Sequence, residues 1–401
     1  MCKLSKARHF LFAGILSILL IAGIAALTNS LDTQRFSWDF IYYISMAQNG
    51  FEANNLASPF AYRYLSPLII YFFTHFFGIP FESGFRIMAY AGAFLQLFGV
   101  FWFTNWLTHS TKGSYIALLA TAFSLFNVKF LLFDIYRPDH LAYFLVLLQT
   151  YFAFKRKFVP LFILTMIASQ IREFNLIPLI AYLWAFAMEK DRSVFSVELI
   201  VSVIGLAVAT ILPRILIPVH ESFQFADLNL NGILRVVIAP FVIARDVNFI
   251  YSLLAYFLPI LMLVSLKQII TIVQSLGSQI KLFMTVYTVL VLIFSFLGGT
   301  DFYRFSTYLF LPQAVILGFA SQTSPRIGLL TMLISVFIFN RIWMHFPMSD
   351  LGSYLDFYGA SATRLNWNSV LRIAECLGFI LMGYIARSHW PFKSSMLPRF
   401  S

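Results

Sequence analysis

Seven charged positions in this largely apolar chain have types and spacings that suit chemistry on an anion: Asp39, Arg63, Asp139, Arg172, Glu173, Asp301 and Arg304. Arginine presents a planar fork that grips phosphate oxygens in pairs, whereas lysine acts as a point charge. The segment from Ser37 to Ala47 has helical spacing that sets Asp39, Tyr42, Tyr43 and Met46 along one face, with Ser37 as the expected cap and Gly50 the expected stop. An aspartate in a first turn also complements the helix dipole, a structural role that spacing alone does not separate from a functional one. Arg172 and Glu173 fall between two short apolar runs. Adjacent residues do not face each other on a helix, so Arg172 is expected on phosphate and Glu173 on a partner group. In Gly298-Gly299-Thr300-Asp301-Phe302-Tyr303-Arg304 the glycines free backbone N–H groups to turn towards an anion, and Asp301 and Arg304 are three apart, as one helix face requires. The alternative for this stretch is a tight turn in which Asp301 caps a helix and pairs with Arg304.

A further cluster, Asp134-Ile135-Tyr136-Arg137-Pro138-Asp139-His140, gathers oxygen and imidazole ligands that could hold a divalent ion. It reads more readily as a solvated, proline-containing turn, with Asp139 fixed at the start of the next helix. Outer-loop charges such as Arg235, Asp350 and Arg364 receive no role. Cys2 and Cys376 have neither a disulfide partner nor metal-ligand spacing.

The elements that must position these groups are membrane helices. Of 401 residues, 60% are hydrophobic and only 11% charged, and mean hydropathy is +0.81, which excludes a soluble domain. The net charge of +11 has no soluble basic domain to carry it, so nucleic acid is not expected as a partner. Phe10 to Leu27, preceded by Lys3, Lys6 and Arg8, reads as an uncleaved signal anchor. Lys155-Arg156-Lys157 fixes a cytoplasmic turn. From it, spans are expected at 86–107, 115–133, 139–154, 158–170, 175–188, 194–218, 248–266, 282–297, 303–320, 326–345 and 368–386. With the anchor this makes about 12 transmembrane helices, all-α, in a single integral membrane domain over 1–401: a first outer loop at 29–85, core spans at 86–218, an outer loop at 219–247 and C-terminal spans at 248–401. Tyr64 to Phe77 is shorter than the roughly 20 residues a span needs and is expected as a re-entrant or interfacial helix, with Arg63 between Tyr62 and Tyr64 in the headgroup layer. Both termini are expected to be cytoplasmic. Nine of the ten lysines then lie inside, all but Lys129, while a dozen arginines lie at or near the outer face. Charge beside hydrocarbon is costly and by default functional, so an enzyme acting on a lipid phosphate is expected at the outer face.

Asp39 in Trp-Asp-x-x-x-Tyr, Arg63 in Pro-Phe-Ala-Tyr-Arg-Tyr-Leu-Ser-Pro, Asp139 after the third span, Arg172-Glu173 and Asp301-x-x-Arg304-Phe together resemble the GT-C superfamily of polyprenyl-phosphate-sugar-dependent membrane glycosyltransferases, in a compact bacterial form. The resemblance implies a GT-C-like bundle with juxtamembrane helices in the first outer loop. It also implies a cell-envelope glycosyltransferase of a bacterial inner membrane, probing its donor from the periplasmic side. Asp39 would act on the acceptor and Asp139 assist, with Arg172, Arg304 and Arg63 on the donor phosphate and Glu173, Asp301 and Tyr43 supporting. No cofactor is required; a divalent cation, if present, would sit between Asp39 and Asp139. The partners implied are a polyprenyl-phosphate-linked sugar, a glycan or glycolipid acceptor and membrane lipids. The double-acidic first-loop motif of protein O-mannosyltransferases and a large soluble domain are both missing, which favours a glycolipid or surface polysaccharide over protein. Transfer in one displacement would invert the anomeric carbon. Other readings are a lipid-linked sugar or ion transporter, which would show paired broken helices, and a polysaccharide polymerase or ligase, which would carry its dominant outer loop late in the chain.

Overall fold

The structure, a computed structural model, describes residues 2–33, 39–53, 56–57, 60–186, 192–217, 242–297, 302–346 and 367–389. Its helices are α1 (Cys2–Ala26), α2 (Phe40–Asn49), α3 (Leu65–Phe77), α4 (Phe81–Thr108), α5 (Thr111–Ala122), α6 (Phe130–Phe133), α7 (Ala142–Phe154), α8 (Phe158–Ser169), α9 (Ile177–Ala185), α10 (Arg192–Leu216), α11 (Ile243–Leu263), α12 (Leu266–Ser275), α13 (Ser278–Leu297), α14 (Phe302–Ser306), α15 (Phe310–Thr323), α16 (Arg326–Phe339) and α17 (Trp367–His389). No strand occurs among the described residues. Among the described residues six helices are long and apolar enough to cross a membrane, within α1, α4, α10, α11, α13 and α17. The chain is a helical membrane protein.

The turns sort into two ends. At one, Lys112 Nζ donates to Ser324 O at 2.8 Å, Lys155 lies over the Trp106 ring and Arg156 bonds Gln279, so the α4–α5, α7–α8, α12–α13 and α15–α16 turns share a basic face. At the other end, buried Lys129 donates to the carbonyls of Leu27, Ile342 and Met344, tying the end of α1 to the turn after α16. Leu65 N–H donates to Gln170 O at 3.3 Å, which brings α3 and the end of α8 to that second face.

Several boundaries depart from expectation for physical reasons. The stretch 115–133 is not one helix: α5 stops at Ala122, a π-turn covers Leu125–Lys129, and the two parts bend by 66°. The break is held by Asn127, which accepts from Gln96 and donates to the Tyr256 hydroxyl. Helix α2 begins at Phe40, with Asp39 at its cap position and no side-chain cap bond; Ser37 lies outside the described residues. Gly50 does stop it, at φ 59°, where any Cβ would meet the Tyr71 ring at 3.1 Å. From Leu266, the last residue of the span expected at 248–266, to Ser275, in the stretch that joins it to the span expected at 282–297, an amphipathic helix forms behind a Ser265/Gln268 capping box.

Helix α3 is 13 residues, about 20 Å; its start bonds Gln170 at the second face, and Ile70 in its middle meets Gly84 near the start of α4. Helices α7 and α8, of 13 and 12 residues, connect the two faces yet are shorter than a hydrocarbon core is thick. Gly92 of α4 sits against the backbone of His140, and α4 continues eleven residues, about 16 Å, beyond that level. The residues ahead of α7 therefore form a floor recessed below the top of α4, with α2 and α3 packed around it.

Candidate functional site

Four arginines and four carboxylates meet on this floor. Ion pairs alone cost more to desolvate than they return unless they are well paired, so the pairing pattern shows what each group is for. Arg63, from the turn before α3, donates Nη2 to Glu173 Oε1 at 2.6 Å and Nε to both carboxylate oxygens at 3.0 and 3.2 Å. Its Nη1 donates to the Tyr43 hydroxyl at 3.4 Å, which joins α2 to the α8–α9 break. Burial raises the carboxyl of Glu173, but the attraction of Arg63 and then Arg172 outweighs it and holds the group at about 2. The side chain is 49% exposed, so water screens part of that attraction. Burial also pushes the Tyr43 hydroxyl up to about 12, the nearby Arg63 notwithstanding.

Arg172 is 1% exposed and places Nε 3.1 Å from Asp139 Oδ1, itself 1% exposed. The contact is electrostatic, since neither side chain has a hydrogen-bond partner of adequate geometry. Glu173 lies 3.8 Å away from Arg172, whose extended backbone turns adjacent side chains apart. The guanidiniums of Arg172 and Arg304 lie 5.4 and 5.2 Å from the Phe305 ring centroid. Phe305 stacks on Phe174 at 5.3 Å, so α14 and the α8–α9 break hold one aromatic platform between them.

The segment 134–140 is not solvated, contrary to its reading as an exposed turn. Arg137 Nε donates to Asp134 Oδ2 at 2.5 Å, and both side chains are buried. Burial raises the Asp134 carboxyl to about 6 although Arg137 draws it down. The proline-containing turn is covered because α4 crosses it at Gly92, a close approach that only a residue without Cβ allows.

Asp39 completes the site. Its side chain is 19% exposed, and Oδ2 lies 3.8 Å from Arg137 Nη1 and 4.0 Å from Arg304 Nη1. Seven sequence candidates, Asp39, Tyr43, Arg63, Asp139, Arg172, Glu173 and Arg304, thus converge in one network. Asp301 lies outside the described residues. Arg63 is clamped by Glu173 and Arg172 is enclosed with Asp139, so in this conformation these groups build the floor, while Asp39 and Glu173 are its accessible carboxylates. Arg137 was missed as a member; its three-residue spacing from Asp134 was the available signal. No group of three or more His, Cys, Asp or Glu side chains gathers in a metal-holding arrangement among the described residues.

Comparison with protein-family models, with curated proteins and with solved structures finds no match to this chain.

Proposed function

We propose that this protein is a membrane glycosyltransferase of the GT-C kind that moves a sugar from a polyprenyl-phosphate donor to an acceptor hydroxyl, on a glycolipid or surface polysaccharide. The observation that carries this reading is the position of Asp39: a partly exposed carboxylate at a recessed charged floor, within 4.0 Å of two guanidiniums. In this reading the acceptor oxygen attacks the anomeric carbon, its proton passes to Asp39, and the bond from that carbon to the phosphate oxygen breaks. The departing phosphate gains one negative charge, which Arg304 and Arg137 are placed to neutralise. One displacement inverts the anomeric centre. Asp139 and Arg172 act as positioning residues, and the Arg63–Glu173 pair holds α2 and α3 over the floor. By the positive-inside rule the basic turns are cytoplasmic and the floor faces the periplasm of an inner membrane.

The experiment has two parts on the full chain gently extracted from its membrane. Native mass spectrometry identifies the lipid retained by wild type and by Arg304→Gln, and a transfer assay follows labelled sugar from a polyprenyl-phosphate donor in wild type and Asp39→Asn. Retention of a polyprenyl phosphate that Arg304→Gln loses, with transfer abolished in Asp39→Asn, supports the assignment. Bulk phospholipid alone in both samples, or undiminished transfer by Asp39→Asn, overturns it.

A further inference from the structure

The basic end of the bundle, opposite the charged floor, contains a second polar feature that the proposed reaction does not use. A cavity of about 400 Å³ opens where α11, α12, α15, α16 and α17 end or begin, with Ser265, Gln268, Thr323, Thr331, Tyr384 and Arg387 in its walls. Arg387 donates Nη1 to Leu261 O at 2.7 Å and lies over the Tyr384 ring. Gln268 accepts from the Ser265 backbone through its oxygen, which leaves its amide N–H groups as donors to the cavity. No acidic residue lines the space. Ser324 and Pro325 form its rim, where exposed Lys112 is anchored on Ser324 O and exposed Arg326 follows. Lys267, also exposed, stands between two wall residues.

The surroundings are those of a bilayer interface. Helix α12 buries Ile272 and exposes Leu266 and Ile270, the pattern of a helix lying in the interfacial plane. Beside the opening, Ile327 and Leu330 of α16 and Leu381 and Ile385 of α17 are exposed and apolar, a surface fit for acyl chains. An acid-free cavity of mixed lining, with polar groups in its walls, cations around it and lipid-facing side chains beside it, has the charge and shape complement of a phosphodiester at headgroup depth.

We propose that this cavity binds the headgroup of an anionic phospholipid, with Arg387 and the Gln268 amide on the phosphate and the acyl chains along α16 and α17. Occupancy joins α17 to α12 and α16 at the end of the bundle remote from the charged floor. It does not depend on the proposed transferase activity.

The test is native mass spectrometry of the full chain in mild detergent, titrated with phosphatidylglycerol or phosphatidylcholine, for wild type, Arg387→Gln and Thr331→Phe. The first variant removes the charge and the second fills the space while leaving the charge in place. Monodisperse elution is checked first, and Arg326→Gln replaces Arg387→Gln if that protein does not fold. Wild type is expected to prefer phosphatidylglycerol, Arg387→Gln to lose about fivefold in affinity for it, the effect of roughly one interfacial cation, and Thr331→Phe to lose binding because the ring occupies the space. Equal retention of the two lipids by wild type, or undiminished phosphatidylglycerol binding in either variant, overturns the proposal. So does displacement of the lipid by an equal concentration of inorganic phosphate, which would mark a site for free anions.

Discussion

The buried Arg172–Asp139 pair makes a quantitative demand on the fold. Each side chain is 1% exposed, Arg172 Nε lies 3.1 Å from Asp139 Oδ1, and neither side chain has a hydrogen-bond partner. Neutralising Asp139 leaves Arg172 facing only Glu173, at 3.8 Å and already engaged by Arg63, while Arg63 itself repels Arg172. Removing one member of such a pair costs about 3–5 kcal/mol, because the remaining charge is buried without compensation, whereas removing both costs far less. Asp139→Asn and Arg172→Gln are therefore each expected to lose about 3 kcal/mol or more, and the double variant to recover a coupling energy of at least about 2 kcal/mol. The assay is unfolding by titration of an ionic detergent into protein held in a mild one, read by tryptophan fluorescence for all four members of the cycle. If the two single effects simply add, with coupling under about 0.5 kcal/mol, the pair is not electrostatically linked and the reasoning fails.

Lys129→Met is expected to lower stability by several kcal/mol, since one ammonium serves three carbonyls at helix ends and each bond to a charged donor contributes about 1.5–3 kcal/mol; thermal melting in detergent measures it, and an unchanged midpoint refutes the staple. Gly113→Ala would put a methyl 2.3 Å from Gly318 O, so α5 and α15 must separate, at about 1–3 kcal/mol; Ala at the open Gly277 is the control expected to show no such loss. The Asp134 carboxyl, raised to about 6, contributes stability that is complete below about pH 4 and fades as pH rises through 6. Asp134→Asn should remove that slope from a stability-against-pH series, and an unaltered slope assigns it elsewhere. For Glu173, depressed to about 2, the sign reverses: its contribution holds above about pH 4.5 and is lost on further acidification, so Glu173→Gln should flatten only the acid limb.

The membrane elements were legible because an apolar run of helical length admits few alternatives once its backbone must be satisfied internally. Lysine and arginine placement also sorted the turns into two ends, since Lys112, Lys155 and Lys157 carry that signal in short loops. The break after Ala122 was not legible: Ser124 and Asn127 sit in an apolar run, and only the contacts of Asn127 with Gln96 and Tyr256 from distant parts of the chain make the bend stable. Helix α12 could have been found, because Ser265 and Gln268 form a capping-box spacing ahead of apolar residues at helical intervals. Burial of Asp134 and Arg137 could not, since the local sequence is that of a turn and its cover comes from α4. The convergence of Asp39, Arg63, Arg172 and Arg304 was anticipated from topology, but which arginine each carboxylate would take was a matter of side-chain geometry that spacing does not encode.

That division of partners separates the groups that build the floor from those a ligand can recruit. Arg63 and Glu173 share three short bonds, Arg137 and Asp134 meet at 2.5 Å, and Arg172 and Asp139 are sealed together. Asp39 makes only loose contacts with guanidiniums, at 3.8 and 4.0 Å, and lies at the accessible edge of the network. Inserting a phosphate or a hydroxyl beside Asp39 displaces only its own contacts of 3.8 and 4.0 Å, so interaction energy is retained for the bound state. Arg304→Gln is accordingly expected to reduce donor affinity or transfer by tenfold or more and to cost less stability than Arg172→Gln, which should show the opposite weighting. Unfolding and transfer measured on the same two preparations decide it: equal losses of stability in both variants would mean that the loose and sealed pairs do the same structural work, and that Asp39 holds no privileged place on the floor.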